Sequence, residues 1–327
     1  MSNREAHPTE TVSVSDAPRG PVTELIEGRD VPISKTNLVN RTLPHRDRRM
    51  IGAWCFVDTF GPDAVIALPG MRVPPHPHVG LQTVSWLVDG AVDHRDSLGT
   101  HQLVRPGQLN LMTAGRGISH SEESPVDRPP WLHGAQLWIA LPDDARGVEP
   151  SFQHVAELPQ VQLDGVRATV LVGELAGVVS PATVYSPVVG AELEVTSSGL
   201  LPLDPQYEYG VLALRGAAVV ADEPLSPGRL LYLGTDRESL PVSTRDGARL
   251  LLLGGVPFEE PIVMWWNFVA RTHAEIVEAR QTWMDGLDGG AGPLGGTRFG
   301  QVAGYDGPPL PAPPLPNAEL RPRGRHP

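Results

Sequence analysis

Glycine and proline, 35 of each in 327 residues, cut the apolar stretches of this chain into pieces no longer than a strand. Both residues disfavour helix interiors and mark turns, so the chain reads as all-β. Candidate strands cover 81–88 (LQTVSWLV), 108–112, 135–141 (AQLWIAL), 168–172, 211–214, 229–233 and 249–253. Several alternate so as to bury one face, and their spacing is that of a sandwich or small barrel. PGQLNLM near residue 106 and SPGRLLYL near 226 each place a Pro-Gly turn before a strand, which points to a duplicated domain. One helix is signalled near the end. Thr272 and Glu275 form a capping box, Ile276, Val277, Trp283 and Met284 recur at helical spacing, and Gly286 can end it.

Composition narrows the function classes. A hydrophobic share of 40% suffices for a sizeable core, and a net charge of -12 argues against direct binding of nucleic acid or an anionic membrane. A protein that itself binds DNA remains compatible as a partner. Cys55 is the single cysteine, so no intrachain disulfide forms, and a reducing, cytoplasmic location is expected. The N-terminal stretch lacks the apolar core of a secretory signal, and no apolar run is long enough to span a membrane. Residues 1–20 are polar and 291–327 rich in Gly and Pro, so both read as disordered extensions, the second compatible with a polyproline II ligand.

The chemistry concentrates in HPHVGLQTV, 76–84, and GRGISHSEE, 115–123. Side chains at i and i+2 of a strand share a face, so His76 and His78 can reach one ion, and His120 and Glu122 stand in the same relation. Two such pairs on neighbouring strands give three imidazoles and a carboxylate. Gln82, four residues after His78, then need not ligate. Glu123 faces away if the strand is regular, whereas a bulge would exchange the two glutamates. His94 reads as part of a solvated turn in DHRDS, His133 as a structural hydrogen-bonding residue at a strand start, and His101 as a further alternative ligand. Three His and one Glu suit a borderline divalent transition metal with open positions. Iron, zinc, nickel, manganese and copper are all compatible. Arg116 reads as a turn-stabilising residue that could instead orient an anionic substrate.

HPHVGLQTVSWLVDG, HRDSLGTHQLVRPGQLNLMTAGRGISHSEE, HGAQLWIALP, LVGELAGVVSP and FEEPIVMWWNFVARTHAEI strongly resemble the pirin family of the cupin superfamily, in family order from about residue 40 to 286. The resemblance implies a bicupin, two cupin-type β-barrels in tandem with a short C-terminal helix. The N-terminal domain would span 21–155 and the C-terminal one 156–290. It implies one mononuclear metal, usually iron, in the first barrel, on His76, His78, His120 and Glu122. Many cupins carry a ligating glutamate where Gln82 stands; in pirins that position does not ligate. The second barrel shows no His-x-His; its nearest counterpart offers Tyr207, Glu208 and Tyr209, and it should be metal-free. EPIVMWWNFV departs from the family's YGPFV, so Trp265, Trp266 and Phe268 are expected to alter C-terminal packing. Pirins resemble quercetin 2,3-dioxygenases and some have that activity, which implies a small phenolic substrate of flavonol type, with Glu122 the candidate catalytic base for its coordinated hydroxyl. Others are described as redox-responsive regulatory proteins acting through a transcription regulator or a metabolic enzyme. Metal analysis of protein purified from its own host should return about one ion per chain, with its ligands deprotonated by binding; two per chain would mean that the second half also carries a site.

Overall fold

The computed structural model describes residues 11–13, 20–32, 38–65, 70–287 and 298–321. The expected strand content is present, in two units of the same plan. The first has a seven-stranded sheet in the order Ser151–Val155, Leu109–Thr113, Leu81–Asp89, Trp131–Ala140, Trp54–Ala64, Leu38–Leu43, Arg29–Pro32. Its companion is a four-stranded sheet, Arg72–His78, Ile118–Glu123, Val92–Asp96, His101–Val104. The second unit repeats both. Its seven-stranded sheet runs Pro21–Glu27, Arg229–Gly234, Glu208–Arg215, Ala248–Gly255, Val188–Val195, Val166–Val172, Gln160–Leu163, and its four-stranded sheet Gly199–Pro202, Ser239–Ser243, Ala218–Val220, Glu223–Leu225. Leu109–Thr113 and Arg229–Gly234, the strands after the two Pro-Gly turns, hold matching positions, second from an edge.

Neither unit is self-contained. Pro21–Glu27, which the sequence places with the first domain, pairs with Arg229–Gly234 of the second. One buried cluster runs through both units, with Trp54, Phe56, Trp138 and Leu137 from the first and Leu212, Tyr232, Leu251 and Leu253 from the second. Trp54 Nε1–H donates across the seam to the carbonyls of Val189 and Gly254, 3.2 Å each. Glu208, fully buried, accepts from the Gly52 amide and the Tyr232 hydroxyl. Gly52 has φ +51°, and a Cβ there would stand 2.8 Å from the Gly255 Cα, so the seam needs glycine at that turn. Among the described residues no helix is long and apolar enough to cross a membrane.

The helix spans His273–Leu287. Thr272 Oγ1 accepts from the Glu275 amide as the capping box requires, but the Glu275 carboxylate reaches back to the amide of Arg271 rather than of Thr272. Ile276, Ala279 and Trp283 face inward, and Val277 is exposed. The helix runs through Gly286 to Leu287.

Both ends differ from the disordered extensions expected. Thr11–Ser13 pairs with Ile262–Met264; the remaining residues before Gly20 lie outside the described residues. Residues 298–321 pack against the helix and the hairpin that precedes it, with Phe299 and Leu320 buried beside Trp265, Trp266, Phe268 and Trp283. The segment lies over the first unit's four-stranded sheet. The Leu310 amide donates to Pro75 O at 2.8 Å, and Ser119 Oγ donates to Phe299 O at 2.9 Å. Its prolines suit a chain that donates few backbone hydrogen bonds, while a few apolar residues anchor it. Residues 288–297 and 322–327 lie outside the described residues.

Two outcomes follow from this packing. Phe299→Ala should lower stability by about 3–5 kcal/mol, the usual cost of emptying a buried aromatic site, as read by urea unfolding; a loss under about 1 kcal/mol would mean the segment is not docked. Cys55 is buried, and burial pushes its thiol from the ordinary 9.0 up to about 12. The folded state therefore holds the proton more tightly than the unfolded chain. That preference leaves stability intact below pH 9.0 and erodes it as pH rises toward about 12. At pH 8 a thiol reagent such as DTNB should find no reactive cysteine in the native protein and one per chain after denaturation.

Candidate metal centre

Arg72–His78 is the edge strand of its sheet, and the sequence explains why. Pro74, Pro75 and Pro77 cannot donate to a ladder, so the run RVPPHPH is confined to an edge. It pairs antiparallel with Ile118–Glu123, His78 opposite Ile118 and His76 opposite His120. The register then shifts: His120 to Glu122 spans two positions while their partners His76 to Val73 span three, so the extra residue lies at Pro74-Pro75 and Ile118–Glu123 stays regular. Glu122 therefore shares the inward face of His120 at 3% exposure, and Glu123 faces out to pair with Arg72 at 3.1 Å.

His76, His78 and His120 converge as one buried group, their candidate ligand atoms all within 4.8 Å of one another. Two are oriented by backbone carbonyls. His76 Nδ1–H donates to Pro74 O at 2.8 Å, and His78 Nδ1–H donates to Asn267 O at 3.1 Å. Each bond fixes a tautomer that leaves Nε2 as the lone-pair donor. Burial holds all three imidazoles neutral: His78 is lowered to about 3, and His76 and His120 stand well below the ordinary histidine value. Neutral imidazole is the form that binds a metal.

Glu122 belongs to a second group, with His94 and His120, joined to the first through the shared His120. Its charge also acts on His76. Ser85 Oγ lies 2.9 Å from Gln136 Oε1 and 3.5 Å from Glu122 Oε1; it has one proton to give and stands closer to the amide. His94 corrects the sequence reading. It sits in the strand Val92–Asp96, 3% exposed, with Nε2 3.3 Å from Asp96 Oδ2 and Nδ1 3.4 Å from His120 Nδ1. The burial of Val92–Asp96 alternates, so His94 and Asp96 turn inward while Asp93 and Arg95 keep partial contact with water. That period-two pattern in VDHRD was the available signal. Asn267 had none, because its contribution is a carbonyl rather than a side chain.

The other singled-out residues fall elsewhere. Gln82 is buried and donates to Thr113 Oγ1 at 2.9 Å and to Thr183 O at 3.0 Å, the latter in the second unit. His101 is exposed beside Asp93, and His133 is buried near Arg215 at the seam. Arg116 is half-exposed and makes a two-pronged pair with Glu149, at 2.9 and 2.7 Å, which fits the turn-stabilising role. Trp265, Trp266 and Phe268 pack against the C-terminal segment, and the tight turn at Trp266, φ +53°, presents the Asn267 carbonyl to His78. In the second unit the matching strands are GLLP at Gly199–Pro202 and SLPVS at Ser239–Ser243. Leu201, Leu240 and Val242 are their buried residues; the first strand lies just before the Tyr207–Tyr209 stretch and the second well after it, and neither holds a His, Cys or carboxylate.

The donors of the first unit fit a divalent transition metal. His76 Nε2 is buried with no hydrogen-bonding partner among the described residues. His78 and His120 place their Nε2 atoms 3.1 Å apart. Two nitrogens each ~2.1 Å from one ion, at a right angle, stand ~3.0 Å apart.

Comparison with known proteins agrees with this architecture. The family profile described as Pirin matches residues 36–139, and the one described as Pirin C-terminal cupin domain matches 188–288. A Pseudomonas aeruginosa protein whose name provisionally assigns it as a quercetin 2,3-dioxygenase is 46% identical over 295 residues, 90% of each chain. A pirin-like protein of Caulobacter vibrioides is 34% identical over 259 residues, covering 76% of this chain and 88% of its own. A crystal structure named as quercetin 2,3-dioxygenase from Acinetobacter baumannii superposes with a TM-score of 0.84 at 44% identity, over 91% of this chain and 98% of that one. With both halves matched in order and likeness of this extent, the chain belongs to the pirin family.

Proposed function

We propose that this protein is a mononuclear metal protein acting as a dioxygenase on a flavonol-type phenolic, with His76, His78, His120 and Glu122 holding one divalent transition metal. Fe(II) is the proposed ion, and the cytoplasm the proposed location. The observation that carries the reading is the orphaned His76 Nε2 beside two Nε2 atoms at ligand-to-ligand spacing. Three neutral imidazoles and one carboxylate offset part of a divalent charge and suit a borderline metal. The dioxygenase names of the Pseudomonas and Acinetobacter relatives support the choice of reaction.

A bound metal would supply Lewis-acid and redox chemistry at this centre. The chain's own groups do the rest. Glu122 takes the proton of the phenolic hydroxyl, its carboxylate sheltered from bulk water and flanked by Ser85. Pro74 O and Asn267 O hold two imidazoles so that their lone pairs, not their N–H groups, face the site. Trp138, edge-on to His78 at 5.1 Å, closes one side with an apolar ring.

One observation favours a second reading, an iron-dependent redox-sensing regulatory protein acting through a protein partner. Glu122 lines a cavity of about 10 Å³ with Ser85, Gln136 and apolar side chains such as Phe60 and Leu87; it has room for a water and not for a flavonol, and none of the three histidines borders it. Anaerobic loading with Fe(II), then quercetin and oxygen, separates the two. Oxygen-dependent loss of flavonol absorbance that His76→Ala abolishes supports the enzyme; metal bound without turnover supports the regulator. If the enzyme reading holds, Glu122→Gln lowers turnover by about 10²-fold or more, the scale of a lost general base. Glu123→Gln, losing only a surface pair with Arg72, changes it by less than about threefold; equal losses would remove Glu122 from its role.

A further inference from the structure

His94 has no part in the proposed ligand set, yet it is buried against it, and its surroundings settle where its proton sits. Asp96 Oδ1 accepts from the amides of Leu98 and Thr100, at 2.9 and 3.0 Å, which fixes the carboxylate in place. Asp96 Oδ2 lies 3.3 Å from His94 Nε2. An ionised carboxylate only accepts, so His94 Nε2 carries a hydrogen, and in the neutral ring His94 Nδ1 then carries the lone pair. That lone pair faces His120 Nδ1 at 3.4 Å. Two imidazole nitrogens meet favourably only when one brings a hydrogen, so His120 Nδ1 is the protonated atom. His120 Nε2 is then the bare donor, and it is the atom 3.1 Å from His78 Nε2.

The same logic already governs the other two histidines, which spend their Nδ1 hydrogens on Pro74 O and Asn267 O. Among the described residues His120 Nδ1 meets no carbonyl and has an imidazole instead. The ring of His94 is itself held, stacked on Phe152 with centroids 4.5 Å apart and planes 24° from parallel. Phe152 comes from Ser151–Val155, in the opposing seven-stranded sheet, so the two sheets grip the residue between them.

We infer that His94 is a positioning residue which, anchored by Asp96, fixes the His120 tautomer and so presents His120 Nε2 to the metal. This rests on the proposed metal site and deepens it. The chain Asp96–His94–His120 places a carboxylate two imidazoles away from the ion, where it makes His120 a stronger donor without being a ligand. The grouping of His94 with His120 and Glu122 has one competing explanation, a cation of its own on those three residues. With His120 Nδ1, the atom facing His94, as its ligand, that arrangement would strip the hydrogen from Nδ1, so the two accounts predict opposite protonation of one atom.

The test uses the full-length protein, with Co(II) as the binding probe in chelator competition and its visible absorption as the signature of geometry. His94→Phe keeps a ring against Phe152 and removes the acceptor. It should weaken Co(II) binding about 10- to 100-fold, the range for losing such an outer partner, and shift the Co(II) bands. His94→Gln, whose side-chain oxygen can accept from His120 Nδ1–H, should recover most of the affinity. A folded His94→Phe protein with wild-type affinity and spectrum overturns the inference while leaving the metal site standing. Wild-type protein that binds no Co(II) overturns both. Two Co(II) per chain, falling to one in His94→Phe, makes His94 a ligand and overturns the inference. Nitrogen-15 NMR of the Zn(II)-loaded wild type tests the assignment without any substitution: hydrogen on His120 Nδ1 and His94 Nε2 is expected, and hydrogen absent from His120 Nδ1 overturns it.

Discussion

A slip of one residue in the ladder between Arg72–His78 and Ile118–Glu123 would turn one set of histidines to the opposite face of the sheet. The centre therefore depends on that register, and much of the surrounding structure serves to hold it. The outer rim of Arg72–His78, which its prolines leave poor in donors, is covered by the C-terminal segment through Leu310. Ser119, beside His120, is tied to the same segment. On the inner side, the carbonyls of Pro74 and Asn267 leave His76 and His78 little rotational freedom. Burial keeps all three imidazoles uncharged, so the repulsion that three cations would feel does not arise.

The two units show how a repeated plan diverges in chemistry while keeping its frame. Sheet order matches strand for strand, yet where the first unit sets His and Glu the second sets Leu201, Leu240 and Val242. Apolar side chains there pack among themselves and stabilise the second unit by burial, at roughly 1.5–3 kcal/mol for each fully covered residue. The first unit forgoes that gain at the same positions. It carries buried polar groups whose desolvation has to be offset by carbonyls and by one another. Glu208, which follows Gly199–Pro202 in the chain, is used at the seam, where it receives the Gly52 amide and the Tyr232 hydroxyl.

Local information in the sequence was enough for the strands and for the shared faces of His76 with His78 and His120 with Glu122, because both follow from a two-residue period. The family profiles bear out the resemblance drawn from MTAGRGISHSE and its neighbours. What the sequence hid was non-local or masked by composition. His94 lies between Asp93 and Arg95, and those charges suggest water on every side; only the pleat separates them from it. Asn267 acts through its backbone and stands 189 positions from the histidine it orients. The tail looks unstructured because Phe299, Ala312 and Leu320 are too irregularly spaced for any periodic signal. The exchange of Pro21–Glu27 into the other unit's sheet is likewise a matter of tertiary pairing, which no window of residues contains.

The Asn267 carbonyl has a consequence for biogenesis. A ribosome delivers His76, His78 and His120 long before it delivers the turn at Trp266, and the strip that covers the metal-bearing edge comes later still. Domains generally fold as they emerge, N-terminal portions first. Here the emerging first half lacks the acceptor that sets one of its imidazoles, as well as the cover for its edge. An ion captured at that stage would meet a loosely set nest of nitrogens. A fully set nest of nitrogens therefore waits until the growing chain has reached Asn267, 189 positions after the histidine it orients.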